Sequence, residues 1–212
     1  HITPFVQEVA VVLDEEEVYR IASAHGTFGY TTFNMRMTFY RLGLAVGFYT
    51  GDDWLAGKAD SAKLTFLLNP TGLKGAKGEG ALEKIRRQGQ TTVFIYGFGD
   101  MDTAQMQRLT GMTLARCEAP AGTKLPVQMV FCGSWEGCKN VSAGREVDVN
   151  PLFYVQGDYT EAFAQYTIGE AAGKIGFAMK RQDGYQTIFF GGFELDRDLL
   201  LRIARLAGVR EY

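Results

Sequence analysis

Two acidic residues and a tryptophan adjoin at Asp52, Asp53 and Trp54, directly after a short aromatic run. The face of an indole ring can stack on a pyranose ring, and carboxylates accept hydrogen bonds from sugar hydroxyls, so this grouping is typical of a carbohydrate-binding site. The other interpretation is a loop in which Trp54 and Leu55 fold back onto the core. The sequence leaves both interpretations open.

Catalysis by a nucleophile or by a metal ion has little support in the residue types present. The chain has two histidines, His1 and His25, and a Ser-His-Asp or Cys-His system needs a histidine within hydrogen-bonding reach of its nucleophile. His1 is terminal and His25 belongs to an early polar loop. The sequence has no histidine cluster and no Cys-x-x-C pair, the usual zinc ligands. We therefore expect no metal and no cofactor.

The cysteines give a further choice between two interpretations. There are three of them, and Cys132 and Cys138 bracket the loop CGSWEGC while Cys117 lies apart. Cys132 and Cys138 either form a small local disulfide or remain free, half-buried thiols. The cellular compartment stays undetermined from cysteine usage.

A hydrolase that uses two carboxylates is the remaining enzymatic possibility. The acids that could serve it lie in turns after predicted strands or before predicted helices: Asp52, Asp53, Asp100, Asp102 and Glu194. Their spacing singles out no pair. Asp100 and Asp102 are better explained as turn and helix N-cap residues, and Glu194 as an acid that favours the dipole of the last helix.

The stretch that would have to position a site is Thr91–Gly111. A run of β-branched and aromatic residues, Thr91–Tyr96, predicts a buried strand. It continues into the tight turn Gly97-Phe98-Gly99-Asp100 and then into a helix from about Asp102. Open α/β sheets build their sites where a strand, a glycine turn and a helix follow in this order.

The first half of the chain predicts strands at Val6–Leu13, Leu44–Tyr49 and Lys63–Leu68, which alternate with helices. This alternation indicates a parallel, doubly wound sheet. One helix is predicted from Thr31 or Thr32 through Leu42, with Phe33, Met37, Tyr40 and Leu42 on its apolar face. The glycine-rich residues 69–80 lack the spacing of a phosphate-binding loop, so we expect a flexible surface connection before a helix at Ala81–Gln88.

The second half changes pattern and predicts an antiparallel extension of the sheet. The expected strands are Met112–Cys117, Leu125–Phe131, Leu152–Val155, Glu161–Tyr166, Lys174–Lys180 and Tyr185–Phe190, with a long polar loop at 133–150. The Asp183-Gly184 pair predicts a hairpin turn between the last two. A closing helix is expected after the N-cap Asp196, with Leu199, Leu200, Ile203 and Leu206 on its apolar face.

Bulk properties bound the class of partner. The chain has 212 residues and a net charge of −2, which gives no electrostatic reason to bind nucleic acid or an anionic membrane. No apolar run reaches the roughly 18 residues of a transmembrane helix. We expect one domain over residues 1–212, and the initial His1 suggests a chain excised from a longer one.

Several segments together resemble the glutamine-amidotransferase-like, or trimerisation, domain of bacterial β-galactosidase-type glycoside hydrolases. They are the strand Val9–Leu13 followed by Asp-Glu-Glu, the Leu-Leu-Asn-Pro end of the third strand, RRQGQTTVFIYGFG, and the tail KIGFAMKRQDGYQTIFFGG with DLLLRIARLAGVREY. The resemblance covers most of the chain and is weakest at about 115–150. It implies a flavodoxin-like, amidotransferase-like doubly wound sheet, mostly parallel, with an antiparallel extension in the C-terminal half.

The resemblance also implies an absence of catalysis. Active amidotransferases of this fold place a cysteine in a G-x-C-x-G elbow after the strand that matches Thr91–Tyr96, and here the elbow contains Phe98. They place a His-x-Glu after the strand that matches Thr187–Phe190, where Glu194 has no such histidine before it. We therefore expect a non-catalytic accessory domain that contacts other domains of its parent chain or copies of itself.

The alternative is a module that binds a small molecule or a carbohydrate at the carboxyl ends of the strands. Its candidate ligand-binding residues are Asp52, Asp53, Trp54, Asn69, Tyr96, Phe98, Asp100 and Glu194.

Overall fold

The computed structural model describes residues 6–14, 33–96, 102–120, 123, 125–147 and 149–211. Its strands are β1 (Val9–Leu13), β2 (Val46–Thr50), β3 (Leu64–Leu68), β4 (Thr91–Ile95), β5 (Thr113–Cys117), β6 (Leu125–Val127), β7 (Met129–Phe131), β8 (Arg145–Val147), β9 (Leu152–Gly157), β10 (Glu161–Tyr166), β11 (Ile175–Gln182) and β12 (Tyr185–Phe190). Its helices are α1 (Met35–Tyr40), α2 (Gly51–Leu55), α3 (Gly75–Ile85), α4 (Thr103–Thr110) and α5 (Arg197–Leu206).

The N-terminal part of the sheet is parallel. Its strands lie in the order β2-β1-β3-β4-β12, and every neighbouring pair in that series is parallel. β3 and β4 are buried along their whole length, as expected for strands covered on both faces. The register is continuous, with Leu13 opposite Leu68 and Leu68 opposite Ile95.

Alternate residues of these strands enter two separate apolar layers, because successive side chains of a strand point to opposite faces. One layer combines Val9, Val11, Phe66, Val93 and Ile188 with α1 and α5. The other combines Ala10, Val12, Leu67, Phe94 and Phe189 with α2, α3 and α4. The parallel strands are therefore covered by helices on both faces.

The C-terminal part is antiparallel and continues the same ten-stranded sheet through β12-β11-β10-β7, with β9 joining β11 to β5. β11 and β12 meet at the predicted turn, where Gln182 pairs with Tyr185 and Gly184 has a φ of 81°. A separate two-stranded sheet pairs β6 with β8. The architecture is thus α/β with a mixed sheet. None of the helices in the described residues has the length and apolarity needed to cross a lipid bilayer.

Trp135 organises the core of the antiparallel strands. It ends a 3-10 turn, Gly133–Trp135, and its ring stacks on Phe163 at 4.6 Å between centroids and meets the edge of Phe177 at 5.1 Å. The guanidinium of Arg202 on α5 lies 5.0 Å from the same ring. The stretch predicted as a long polar loop at 133–150 therefore contributes to the core, and it also contains β8.

Other predictions for secondary structure are wrong in informative ways. The buried side of α1 carries Met35 and Phe39, whereas Phe33, Met37 and Tyr40 are exposed. The helix is apolar on two sides with the same spacing, so periodicity alone selects the wrong one. Leu206 of α5 is likewise exposed.

The glycine-rich segment 69–80 is wrong as a flexible surface connection. Asn69, Pro70, Thr71 and Leu73 are buried, and helix α3 already begins at Gly75 and ends at Ile85. The predicted strand Leu125–Phe131 is in fact two strands, β6 and β7, which belong to different sheets.

Candidate functional site

A small cleft lies where the chain direction across the sheet reverses. From β1 the chain continues to β2 on one side and then returns to β3 on the other, so the connections after β1 and β3 diverge. The cleft measures about 60 Å³ and has an apolar floor of Val12, Leu55, Leu67 and Leu73. Three charged side chains line it as well: Asp14, Asp52 and Lys77.

Asp14 is held in place by the loop that follows β3. Its carboxylate accepts a hydrogen bond from the backbone N–H of Gly72 and another from the hydroxyl of Thr71, at 3.4 Å. A Cβ at position 72 would lie 3.0 Å from both carboxylate oxygens, so glycine is what lets the carboxylate reach the backbone there. The loop therefore fixes Asp14 at the end of β1.

Asp52 and Lys77 form an ion pair across the cleft, 2.8 Å from Oδ1 to Nζ. Asp52 lies in the first turn of α2 and Lys77 near the start of α3. Both side chains are about half exposed, and an ion pair in that setting contributes about 0–1 kcal/mol. A ligand with hydroxyl groups could therefore exchange for this contact at low cost.

The neighbours of Asp52 take structural positions. The backbone N–H of Asp53 donates to Oγ1 of Thr50 at 3.1 Å, which caps α2, and its carboxylate pairs with Lys58 at 2.6 Å. Trp54 is only 4% exposed and packs with the apolar layer of α2–α4. Its ring faces are therefore occupied by the core, as in the second interpretation of this segment.

Asn69 and Tyr96 follow β3 and β4 directly, and both are buried. Their φ angles are 46° and 65°, a left-handed conformation that is uncommon for residues other than glycine. The hydroxyl of Tyr96 donates to the backbone oxygen of Pro151 at 3.1 Å, which links β4 to the antiparallel strands. Phe98 and Asp100 lie outside the described residues.

Glu194 belongs to a second groove. Its carboxylate accepts from Nδ2 of Asn34 at 3.2 Å, and its backbone oxygen accepts from Asn140 at 2.9 Å and Ser142 at 2.6 Å. The groove, about 290 Å³, also contains Met37, Arg41 and Asp196. The structure therefore separates Asp52 and Glu194 into two clefts.

The described residues contain no group of three or more His, Cys, Asp or Glu side chains that could hold a metal ion. The three cysteines are free thiols, so the disulfide interpretation is wrong. Sγ of Cys138 accepts from the guanidinium of Arg202 at 2.8 Å. Burial raises the pKa of the Cys132 thiol, and the nearby carboxylates of Glu136 and Glu161 raise that pKa further.

Sequence reasoning missed Asp14, Gly72 and Lys77 as members of one cleft. Asp14 begins an acidic stretch that is typical of a solvated turn, and the other two lie in the segment predicted as a flexible connection. The signal that could have found them is their position after two buried strands, since the carboxyl ends of adjacent parallel strands meet at one edge of a sheet.

No family model and no curated protein matches this sequence. Among solved structures, the β-galactosidase from Bacillus circulans sp. alkalophilus has a TM-score of 0.65 at 14% identity, over 96% of this chain and 31% of that one. Gan42B, a GH42 β-galactosidase from G. stearothermophilus, has a TM-score of 0.67 at 14% identity, over 96% and 30%. A thua-like protein from Bacteroides uniformis has a TM-score of 0.57 at 12% identity, over 94% and 87%.

The chain spans about a third of the length of these β-galactosidases. At such low identity the likeness concerns the fold alone. The chain therefore has a fold similar to a portion of a GH42 β-galactosidase, and to almost the whole of a thua-like protein.

Proposed function

We propose that this chain is a non-catalytic accessory domain of a glycoside hydrolase-type protein, and that it acts through contacts with other domains of its parent chain or with copies of itself. The observation that carries the proposal is the coverage of the structural likeness: 96% of this chain corresponds to only 30% of a GH42 β-galactosidase. A domain that matches a portion of a larger enzyme fits an accessory role.

The strand order β2-β1-β3-β4-β12 supports the finer proposal of a flavodoxin-like, amidotransferase-like arrangement. The residue types support the absence of catalysis. Cys117, Cys132 and Cys138 all follow the position of the amidotransferase elbow, and the two histidines lie at positions 1 and 25. A triad of that kind would need a cysteine at the elbow and a histidine near Glu194.

The test is an assay of the purified chain with glutamine and with a chromogenic β-galactoside, at concentrations up to 100 µM protein. We expect no turnover above that of buffer with either substrate. The control is a triple variant, Cys117→Ser, Cys132→Ser and Cys138→Ser, which should match the unsubstituted chain. Glutaminase turnover that disappears on substitution of one cysteine would refute the proposal.

The cleft between β1 and β3 favours a second candidate, a module that binds a carbohydrate or another small polyhydroxylated molecule. Its carboxylates can accept hydroxyl donors, and its apolar floor can cover the hydrophobic face of a sugar. Titration calorimetry with a panel of mono- and oligosaccharides should then give heats that Asp52→Asn weakens and Asp53→Asn, its exposed neighbour, leaves unchanged. A panel without any heat would remove this candidate.

A further inference from the structure

β2 forms an edge of the large sheet. It pairs with β1 in an uninterrupted register from Val46 to Thr50, and no other strand in the described residues pairs with its outer side. Natural edge strands are usually protected by charged residues, proline or a bulge. Residues 42–51 contain no charged residue and no proline, so the backbone groups on the outer side of β2 are open to pairing with another strand.

Helix α1, which lies beside this edge, is apolar on two sides. Met35 and Phe39 face the core, whereas Phe33, Met37 and Tyr40 are 56%, 37% and 65% exposed. Their spacing of four and three residues places the exposed three in one stripe along the helix. A helix that is apolar all round is normally covered on every side.

The stripe and the edge form one continuous surface. The ring of Tyr40 lies 4.9 Å from the ring of Phe48 on β2, centroid to centroid. We call this the β2–α1 surface: Phe33, Met37 and Tyr40 with the outer backbone of β2. The opposite edge of the sheet is different, because β7 has only three residues, and very short edge strands resist pairing.

We propose that the β2–α1 surface binds a second copy of this chain, with the two β2 strands antiparallel across a two-fold axis perpendicular to the sheet. Such an axis keeps both α1 helices on the same face of the joined sheets, so that their exposed stripes meet. The inference rests on the proposed contact-making function and names its partner. An uncharged edge strand and an apolar stripe are complementary to themselves, which is what a two-fold interface requires.

The charges at the two ends of α1 also favour a second copy. Arg41 follows the C-terminal end of the helix, and Glu194 lies at the N-terminal end through its hydrogen bond with Asn34, 3.2 Å. Antiparallel α1 helices bring the C-terminal end of one copy towards the N-terminal end of the other. Arg41 of each copy then approaches Glu194 of its partner, which steers the encounter and fixes its direction.

Sedimentation velocity of the chain over about 1–200 µM tests the proposal, with Met37→Glu and Met37→Lys as variants. Met37 is the central residue of the stripe and faces its own copy across the axis, so each variant places like charges together. We expect each variant to weaken dimerisation by about a hundredfold, because like charges at an interface disfavour association strongly. A 1:1 mixture of the two variants should restore the dimer.

Val130→Glu and Tyr159→Glu are matched controls, since these residues are 47% and 42% exposed and lie outside the β2–α1 surface. Both controls should dimerise like the unsubstituted chain. Hydrogen exchange adds a readout for strand pairing: the amides of residues 46–50 should exchange more slowly in the dimer than in Met37→Lys. Thermal unfolding confirms that each variant is folded.

A chain that stays monomeric up to 200 µM would overturn the inference, as would a dimer that persists in both Met37 variants or a mixture that fails to restore it. None of these results would refute the accessory role, because contacts with other domains of the parent chain satisfy it. Glutaminase turnover would refute the accessory role and leave the dimer measurement unaffected.

Discussion

In the parallel half of the sheet, helices cover both faces of the strands, whereas the antiparallel strands pack on one side against an aromatic cluster that includes a loop residue. β1, β3 and β4 alternate their side chains between the layer of α1 and α5 and the layer of α2–α4. Among the antiparallel strands, Phe163 and Phe177 pack around Trp135, which enters from a 3-10 turn.

The difference separates two ways of stabilising a sheet. The helical layers distribute burial over many medium-sized side chains, so that each one carries a small share of the free energy of unfolding. The aromatic cluster concentrates it in a few large side chains, and Trp135 is in contact range of Phe163, Phe177 and Arg202 at once. The antiparallel half should therefore be more sensitive to single substitutions.

The largest effect is expected from Trp135→Ala. Removal of a buried aromatic ring leaves a cavity, and such substitutions cost about 3–5 kcal/mol of the free energy of unfolding. Chemical denaturation followed by circular dichroism measures this loss. Trp135→Phe, which keeps some of the ring contact with Phe163, should cost clearly less. A loss under about 1 kcal/mol for Trp135→Ala would show that the loop is peripheral to the core.

The two tryptophans also allow the comparison to be made within one molecule, because Trp54 packs in the parallel half and Trp135 in the antiparallel half. In Trp135→Phe the remaining fluorescence comes from Trp54, and in Trp54→Phe it comes from Trp135. A single domain requires each fluorescence transition to coincide with that of circular dichroism. Separate transitions would divide the chain into two units.

An intermediate effect is expected from Asn140→Ala, which breaks a link between the loop of Trp135 and the start of α5. The buried side chain donates from Nδ2 to the backbone oxygen of Glu194 at 2.9 Å and accepts from the backbone N–H of Asp196 at 2.8 Å. Leaving such groups without partners costs about 1–3 kcal/mol. Denaturation with Lys139→Ala, a neighbour in sequence, as the control measures the cost; equal values for the two variants would contradict the link.

The two halves also differ in how much of them the sequence predicts. Strands with continuous apolar or alternating patterns are located closely: β10 and β12 have the predicted bounds, and β4 differs by one residue. The N-cap role of Asp102 is confirmed, since its Oδ1 accepts from the backbone N–H of Gln105 at 2.7 Å. These features depend on local patterns and on cap chemistry that acts over three residues.

Features set by distant contacts are not predictable in the same way. Trp135 lies in a stretch whose composition indicates a polar loop, because its partners belong to β10 and β11, far along the chain. The cleft beside Asp14 depends on β1 lying next to β3, with Leu13 opposite Leu68, which no local pattern specifies. The exposed stripe of α1 has the spacing of a buried face because spacing does not reveal which side a sheet covers.

The smallest effect concerns Glu8, which ties the parallel half to the C-terminal segment. Its Oε2 accepts from the backbone N–H of Arg210 at 2.8 Å and its Oε1 from Nζ of Lys63 at 2.9 Å. These two hydrogen bonds, the one from Arg210 first, hold the pKa of Glu8 below its ordinary value of 4.5. A carboxyl group with a lowered pKa in the folded state stabilises that state fully above its unfolded pKa, and the contribution is lost as the pH falls through the folded value.

Glu8→Gln should therefore lower the free energy of unfolding at pH 7, and its difference from the unsubstituted chain should shrink as the pH falls below about 4.5. Urea denaturation at pH 7, 5 and 3.5 measures that difference. Glu118→Gln removes an exposed ion pair with Arg116 and should change little at any of these pH values. A difference for Glu8→Gln that stays constant from pH 7 to 3.5 would mean that the side chain contributes by its shape and neutral hydrogen bonds, and that its charge adds nothing to the link between β1 and the C-terminal segment.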